Sequence, residues 1–393
     1  MTNTWTAEFL QEMSHKTDQS ADQLVTQIIE SHGIDEIRKL FSQLTNNDDI
    51  LKNNSVLPEV KAYFNNEMNL PSWADQKKIA IAQNMFAKFG PEIAFLLNFR
   101  SLPLCYSSKN GAKVLYSTGR LREEGHNTSK IVRRLMETSQ MVINVMAPGG
   151  LTPEGKGIVT VKKVRLMHAA IRYYLLHPHI NRNGWDTQTY GIPINQEEMA
   201  GTLMAFGPLV TQGLDLLGVE TTQEEKDAYL HCWLIVGHFI GVDPELYPKN
   251  HEDGWNLGLA ILTRNQHESD EAKALTASLV DFGKIILPFR FLDDMPEYFI
   301  QRFTRDVSAA AKIDFCALIG INPKPTFKRR MITWFMEKAF DAVSNLESKS
   351  WFFARIVKWL NIKIMKGMVA IYLKTTNVEF NIPPSLQENW KLK

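Results

Sequence analysis

Cysteine is scarce: three residues, at positions 105, 232 and 316 of 393. An odd number at such wide spacing excludes a disulfide framework and a thiolate zinc site, and it suits a reducing, cytoplasmic setting. Charge of one sign is equally lacking. The 44 Lys and Arg face 43 Asp and Glu, a net charge of +1, with no basic stripe, so no nucleic-acid partner is expected. No uninterrupted apolar run approaches the roughly 18 residues of a membrane-spanning helix. The opening MTNTWTAEFLQEMSHKTDQSADQ lacks the basic and apolar blocks of a secretory signal, so export is not expected. Strand signals are sparse, with few alternating runs and no Asn-Gly hairpin between β-branched segments. Internal repeats and low-complexity linkers are missing as well.

What remains is helix. With 44% hydrophobic and 22% charged residues, the chain can bury a substantial core. Residues 18–45 read as two short amphipathic helices broken at His32-Gly33. A helix over 73–89 is expected to stop at Gly90-Pro91, followed by an apolar block at 92–100 and a loop at 106–111. A long helix is expected from Ser129 to Met146, ended by Pro148-Gly149-Gly150, and a second over 158–176, ended by His177-Pro178. The polar run 180–194 reads as an ordered loop. Helices follow at 195–217, 222–240, 266–282, 325–346 and 350–374. The expected fold class is all-α, a single large helical domain over 71–393 with residues 1–70 as an N-terminal helical extension.

Chemistry concentrates between 130 and 172. In VRLMHAAIR, Arg165, His168 and Arg172 are spaced three and four residues apart and share a helix face. Two arginines on one face with a histidine are costly to bury unless an anion compensates them. Haem meets that need, since its iron takes a neutral imidazole and its propionates take arginine pairs. Ala169 and Ala170 would let a flat group approach closely. Arg134 and Thr138 lie one turn apart on the preceding helix, and antiparallel packing of the two helices would turn both toward the same cavity. Spacing alone does not separate this from an ordinary core histidine with arginines in surface salt bridges.

The segments RRLMETSQ, KVRLMHAAIRYYL, YGIPINQEEMAGTLMAFG and YLHCWLIVGHFIGVDPELYP resemble, in order and spacing, the family that joins the fungal oxygenase MpaB to the bacterial latex-clearing rubber oxygenases. The resemblance runs over 118–248. It implies a globin-like helical core binding one haem b, with His168 as the iron ligand and Arg134, Arg165 and Arg172 as haem-binding arginines. It also implies an oxygenase that uses dioxygen, with Arg134, Glu137 and Thr138 as the catalytic set. Rubber oxygenases carry a lysine where Glu137 stands here. A carboxylate cannot copy an amine ligand, but it can act as a general base. The family's catalytic glutamate lies upstream, in the neighbourhood of Glu123 and Glu124. Because rubber oxygenases are secreted to meet an insoluble polymer, the expected substrate is instead a small apolar, unsaturated molecule, isoprenoid or lipid-like. A non-catalytic haem carrier, gas sensor or electron-transfer module uses the same ligands and is the alternative.

Other polar residues call for plainer roles. His231 and His238 suit core packing or a supporting position. His177 and His179 suit helix-end carbonyls, and His126 is an outside candidate for a second axial ligand. Asn195, Gln196 and Glu198 are explained by capping. The basic, aromatic C-terminal run WFFARIVKWLNIKIMKGMVAIYL could make peripheral membrane contact as an interfacial helix.

Overall fold

Side-chain caps start most of the helices. Asp18 opens α2 (Gln19–His32), its carboxylate accepting from the Ala21 amide, after a short α1 (Ala7–Met13) capped by Thr6. Gly33, at φ +82°, ends α2, as the His32-Gly33 break foretold. The computed structural model describes residues 5–33, 56–66, 68–117, 129–177, 184–286, 292–335 and 338. Among these every regular element is helical, and no strand occurs.

After α3 (Pro58–Asn65), Asp75 caps the 21-residue α4 (Gln76–Leu96), its Oδ1 accepting from Lys77 at 2.8 Å. The helix does not stop at Gly90-Pro91. It kinks at Phe89 (φ −116°, ψ 24°) and continues. Pro91 removes one intrahelical donor, which bends a helix, but Phe86, Phe89, Ile93 and Leu96 are buried on both sides of the kink and hold the two halves in one core. A π-helical turn at Leu97–Ser101 then leads into α5 (Leu102–Tyr106). The expected loop at 106–111 is already helix from Lys109, as α6 (Lys109–Ser117).

The long pair is α7 (Ser129–Met146) and α8 (Lys156–Leu176), and the turn between them is tight. A Cβ on Gly150 would stand 2.0 Å from the Asn144 carbonyl oxygen, and one on Gly157 would stand 2.5 Å from that of Gly150, so only glycine fits either place. Near the turn Asn144 donates to Thr160 Oγ1 at 3.1 Å. α8 is buried on nearly every side, carrying Ile158, Val161, Leu166, Met167, Ala169 and Ile171 inside, the pattern of a central helix rather than a surface one.

A four-residue turn of helix, α9 (Thr187–Tyr190), precedes α10 (Gln196–Phe206) and α11 (Pro208–Leu216). The single helix expected over 195–217 is thus two, broken where Gly207 leaves helical angles ahead of Pro208. A full capping box of Thr222 and Glu225 starts α12 (Gln223–Ile240). Then come α13 (His251–Asn265), α14 (Asp270–Ile286), α15 (Met295–Ala311) and α16 (Phe315–Leu318).

α12 lies along α4 at the centre, with α8, α10, α11 and α13 around them. A second apolar cluster joins Val25 and Ile28 of α2, Val60 and Phe64 of α3, and Leu166 and Ile171 of α8. The N-terminal helices therefore pack directly on the helix that carries His168. The basic run at 350–374 lies outside the described residues.

Arg100, in the π-helical turn, is fully buried. It pairs with Asp306 of α15 at 2.6 and 2.8 Å, donates to the Leu209 carbonyl at 2.6 Å, and also reaches the Phe303 carbonyl. This one guanidinium ties α4, α11 and α15 together. Arg100→Leu strands a carboxylate and two carbonyls, and is expected to cost about 3–5 kcal/mol of stability. Chemical denaturation of the variant beside the wild type checks this, and a loss under 1 kcal/mol would show that the cluster is not a structural tie.

Candidate functional site

A largely apolar cavity of about 240 Å³ lies among α5, α6, α7, α8, α10, α12 and α13. Its walls include Met141, Ile171, Leu203, Phe206, Trp233 and Ile261. Polar side chains share the lining, among them Cys105 of α5, Thr138 of α7, His168 of α8 and Glu198 of α10, together with Tyr106, Ser108, Thr202 and Asn265. Thr138 and His168 thus line one cavity from the two neighbouring helices α7 and α8.

The other expected site residues go elsewhere. Glu137 is buried but does not line the cavity, since adjacent helix positions are about 100° apart. It is not placed beside Thr138 as a second cavity group. Arg134 lies on α7, and its side chain is outside the described residues, as are Glu123, Glu124, His126 and His179.

Arg165 and Arg172 do not line the cavity. Arg165 holds Asp18 through Nε at 2.5 Å and Nη2 at 2.8 Å, and reaches Ser20 Oγ at 2.7 Å. Arg172 donates to Asp22 at 2.7 Å and to the Ile194 carbonyl at 3.0 Å. The anions that meet this cationic face are two carboxylates of the N-terminal region, Asp18 and Asp22, and neither arginine of the expected haem-binding set lines the cavity. The need for an anion was rightly read from the spacing. Its source lay about 150 residues away and carried no local signal.

The remaining histidines have structural partners. His231 Nε2 accepts from the Asp75 amide at 2.8 Å, and burial holds its pKa below the ordinary value, which suits a neutral acceptor. Trp73 packs edge-on against both His231 and His238. His177 Nδ1 takes up the Tyr173 carbonyl at 2.7 Å, a helix-end role of the kind expected.

Glu198 is the residue that sequence reasoning undervalued. Its amide is capped by Asn195 Oδ1 at 2.9 Å, and its Oε2 accepts from the Ile194 amide at 3.0 Å, so it does cap. It also lines the cavity, where burial, reinforced by the charge of Glu197, pushes its pKa up to about 8 against the backbone donors that oppose the shift. Next to it, Glu197 is held by Arg264 at 2.9 and 3.0 Å. Burial likewise raises the Cys105 thiol, to about 12, so this wall carries a thiol and not a thiolate.

Could these residues hold a metal or cofactor? Among the described residues no three of His, Cys, Asp and Glu converge as a metal site. A lone imidazole on an apolar wall can hold a metal only if the other ligands come with it, which is what a porphyrin provides. His168 is the residue of this lining that could hold the iron of a porphyrin.

An all-α body around an apolar, single-histidine cavity defines the class, and the comparisons name the family. Residues 93–338 match the family described as ER-bound oxygenase mpaB/B′/rubber oxygenase, catalytic domain, and the chain belongs to it. The match extends well beyond the 118–248 stretch that carries the sequence motifs. Rubber oxygenase of Streptomyces sp. (strain K30) is 24% identical over 267 residues, 67% of this chain, and the chain spans 62% of that protein's length. The fold is that of latex clearing protein LCP in its closed state, with a TM-score of 0.67 at 19% identity over 91% of this chain and 90% of that one.

A carboxyl whose folded pKa stands near 8 binds its proton more tightly than in the unfolded chain, where the ordinary value is about 4.3. Between these values the folded state carries more protons, so stability falls as pH rises from about 4.5 to about 8 and then levels. Glu198→Gln keeps an acceptor for the Ile194 amide and cannot ionise. Its melting temperature is expected to gain on the wild type as pH rises, with the widest gap at pH 8 and above. Thermal unfolding at pH 5, 6.5 and 8 measures this, and parallel curves for the two proteins would contradict it.

Proposed function

We propose that this chain is a haem b-dependent oxygenase that acts with dioxygen on a small apolar, unsaturated substrate, isoprenoid or lipid-like. The observation that carries the reading is His168 as the one imidazole on the wall of an apolar cavity, with no ligand cluster for a bare metal among the described residues. Membership of an oxygenase family and the name of its Streptomyces relative supply the reaction class.

When bound, an iron porphyrin supplies the capture and activation of dioxygen. The protein's own part follows from its residues. His168 is suited to hold the iron as a neutral imidazole. α8 presents it half-buried on the cavity wall, with Ala169 and Ala170 buried beside it. Thr138, on the facing helix, brings a hydroxyl able to donate a hydrogen bond to an oxygen species in the same space. Met141, Ile171, Leu203 and Phe206 exclude water and bind a hydrocarbon chain by burying its surface. No lysine or arginine lines the cavity among the described residues, which suits an uncharged substrate. Cys105, held as a thiol, does not compete with the imidazole as a ligand.

The test is spectroscopic. The protein is expressed with haem precursor and its absorption recorded, with haem content measured as the pyridine haemochrome, beside His168→Ala. A Soret band with about one haem b per chain is expected in the wild type, and its loss or displacement in the variant. A wild type that stays colourless after haem addition would overturn the haem reading. With haem confirmed, oxygen uptake on unsaturated lipids compared with their saturated counterparts tests the oxygenase assignment, and equal uptake would count against it.

A further inference from the structure

The hydrogen bonding of Glu198 is left half complete by the fold. Oε2 accepts from the Ile194 amide at 3.0 Å. Oε1 is shielded from solvent and has no hydrogen-bond partner among the described residues. The guanidiniums that bind its neighbours are committed elsewhere, Arg264 to Glu197 and Arg172 to Asp22 and the Ile194 carbonyl. A carboxyl without a cation on an apolar wall keeps its proton, in accord with the rise to about 8. Because Oε2 is already an acceptor, the proton belongs on Oε1, and that atom is then a donor. A shielded donor without an acceptor costs stability in the empty protein. A ligand that brings an acceptor recovers this cost, and a pure hydrocarbon does not.

We propose that Glu198 is a specificity-determining group of this cavity, donating a hydrogen bond from Oε1 to an acceptor oxygen on an otherwise apolar ligand. The ligand class is an uncharged chain bearing one ketone, aldehyde, ester or ether oxygen. The rest of the ligand is apolar because the wall around Glu198 is largely apolar. The inference deepens the reading of the cavity as a site for an apolar molecule and rests on that reading, but it does not require the iron. Capping alone accounts for Oε2. It leaves Oε1 unexplained, and a glutamine would cap equally well without the cost of ionisation.

The test is calorimetric titration of the protein, expressed with haem precursor, at pH 6.5 with 2-undecanone and with undecane. The ketone is expected to bind about tenfold more tightly than the alkane, the worth of one buried hydrogen bond. Glu198→Gln retains an acceptor for the Ile194 amide and an N–H donor for the ligand, and is expected to keep the preference. Glu198→Met, of similar length and without a donor, is expected to bind the two ligands within about twofold of each other, with wild-type ellipticity. If the methionine variant does not fold, the wild-type comparison of ketone with alkane still decides. Equal binding of the two by the wild type overturns the assignment, as does a preference that survives in folded Glu198→Met. Binding of neither ligand overturns both this assignment and the cavity reading beneath it. A ketone preference in protein lacking a Soret band supports the role of Glu198 while removing the haem reading alone.

Discussion

Arg172 is the interaction on which the site's architecture turns. Its side chain is almost wholly buried, on the helix that carries His168. A guanidinium so placed must find anions and carbonyls or unfold the region around it. It finds Asp22 of α2 and the carbonyl of Ile194, and so joins the N-terminal helix, α8 and a residue of the cavity wall. Arg165 repeats the arrangement one face-repeat earlier on Asp18. Ile194 makes the constraint sharper, since it adopts φ +53°, an unfavourable angle for a β-branched side chain. Arg172 holds its carbonyl and Glu198 holds its amide, so the strained residue is pinned at both ends while its side chain lines the cavity.

Consecutive carboxylates on α10 show how environment divides chemistry between identical side chains. Glu197 is buried against Arg264, which opposes the rise that burial imposes on it. Glu198 has no guanidinium and rises further. One is a tie between α10 and α13 and the other a neutral acid on a cavity wall, and only the direction in which each side chain leaves the helix separates them. Gln196 completes this end of α10. It donates to the carbonyls of Thr17 and Gly241 and accepts from the Asp243 amide, so the N-terminal segment, α10 and the end of α12 are fixed to one another. The fixed first turn holds one oxygen of the Glu198 carboxyl on the Ile194 amide while the residue lines the cavity.

Local physics was legible in the sequence, and distant partners were not. Asn195 caps and Gly33 ends a helix, both from signals within one or two turns, whereas the break at Gly207 falls inside the single helix expected over 195–217. The cationic face of α8 was visible as a need for anions, yet Asp18 and Asp22 could not be singled out among 43 acidic residues. Pro91 misled because a proline's local cost is fixed, whereas the burial that outweighs it depends on helices from other parts of the chain. Glu198 was recognisable as a cap from its spacing to Asn195. Its second role arises because α5, α12 and α13 close over it, and no residue near it in the sequence reports that.

The α7–α8 hairpin explains why a cavity exists where two long helices pack. At the turn, Gly150 and Gly157 admit backbone contact too close for any side chain, and Asn144 bonds directly to Thr160. Farther from the turn the facing positions are Thr138 and Met141 on one helix and His168 and Ile171 on the other, and all four line the cavity. The same two helices are in direct contact at one end and open onto an apolar space at the other. Two elements sealed along their whole length would bury His168 as an ordinary core residue. Closure at the glycine turn leaves the imidazole on a wall that a planar cofactor or a hydrocarbon chain can reach, while Arg165 and Arg172, paired with Asp18 and Asp22, tie α8 to the N-terminal region.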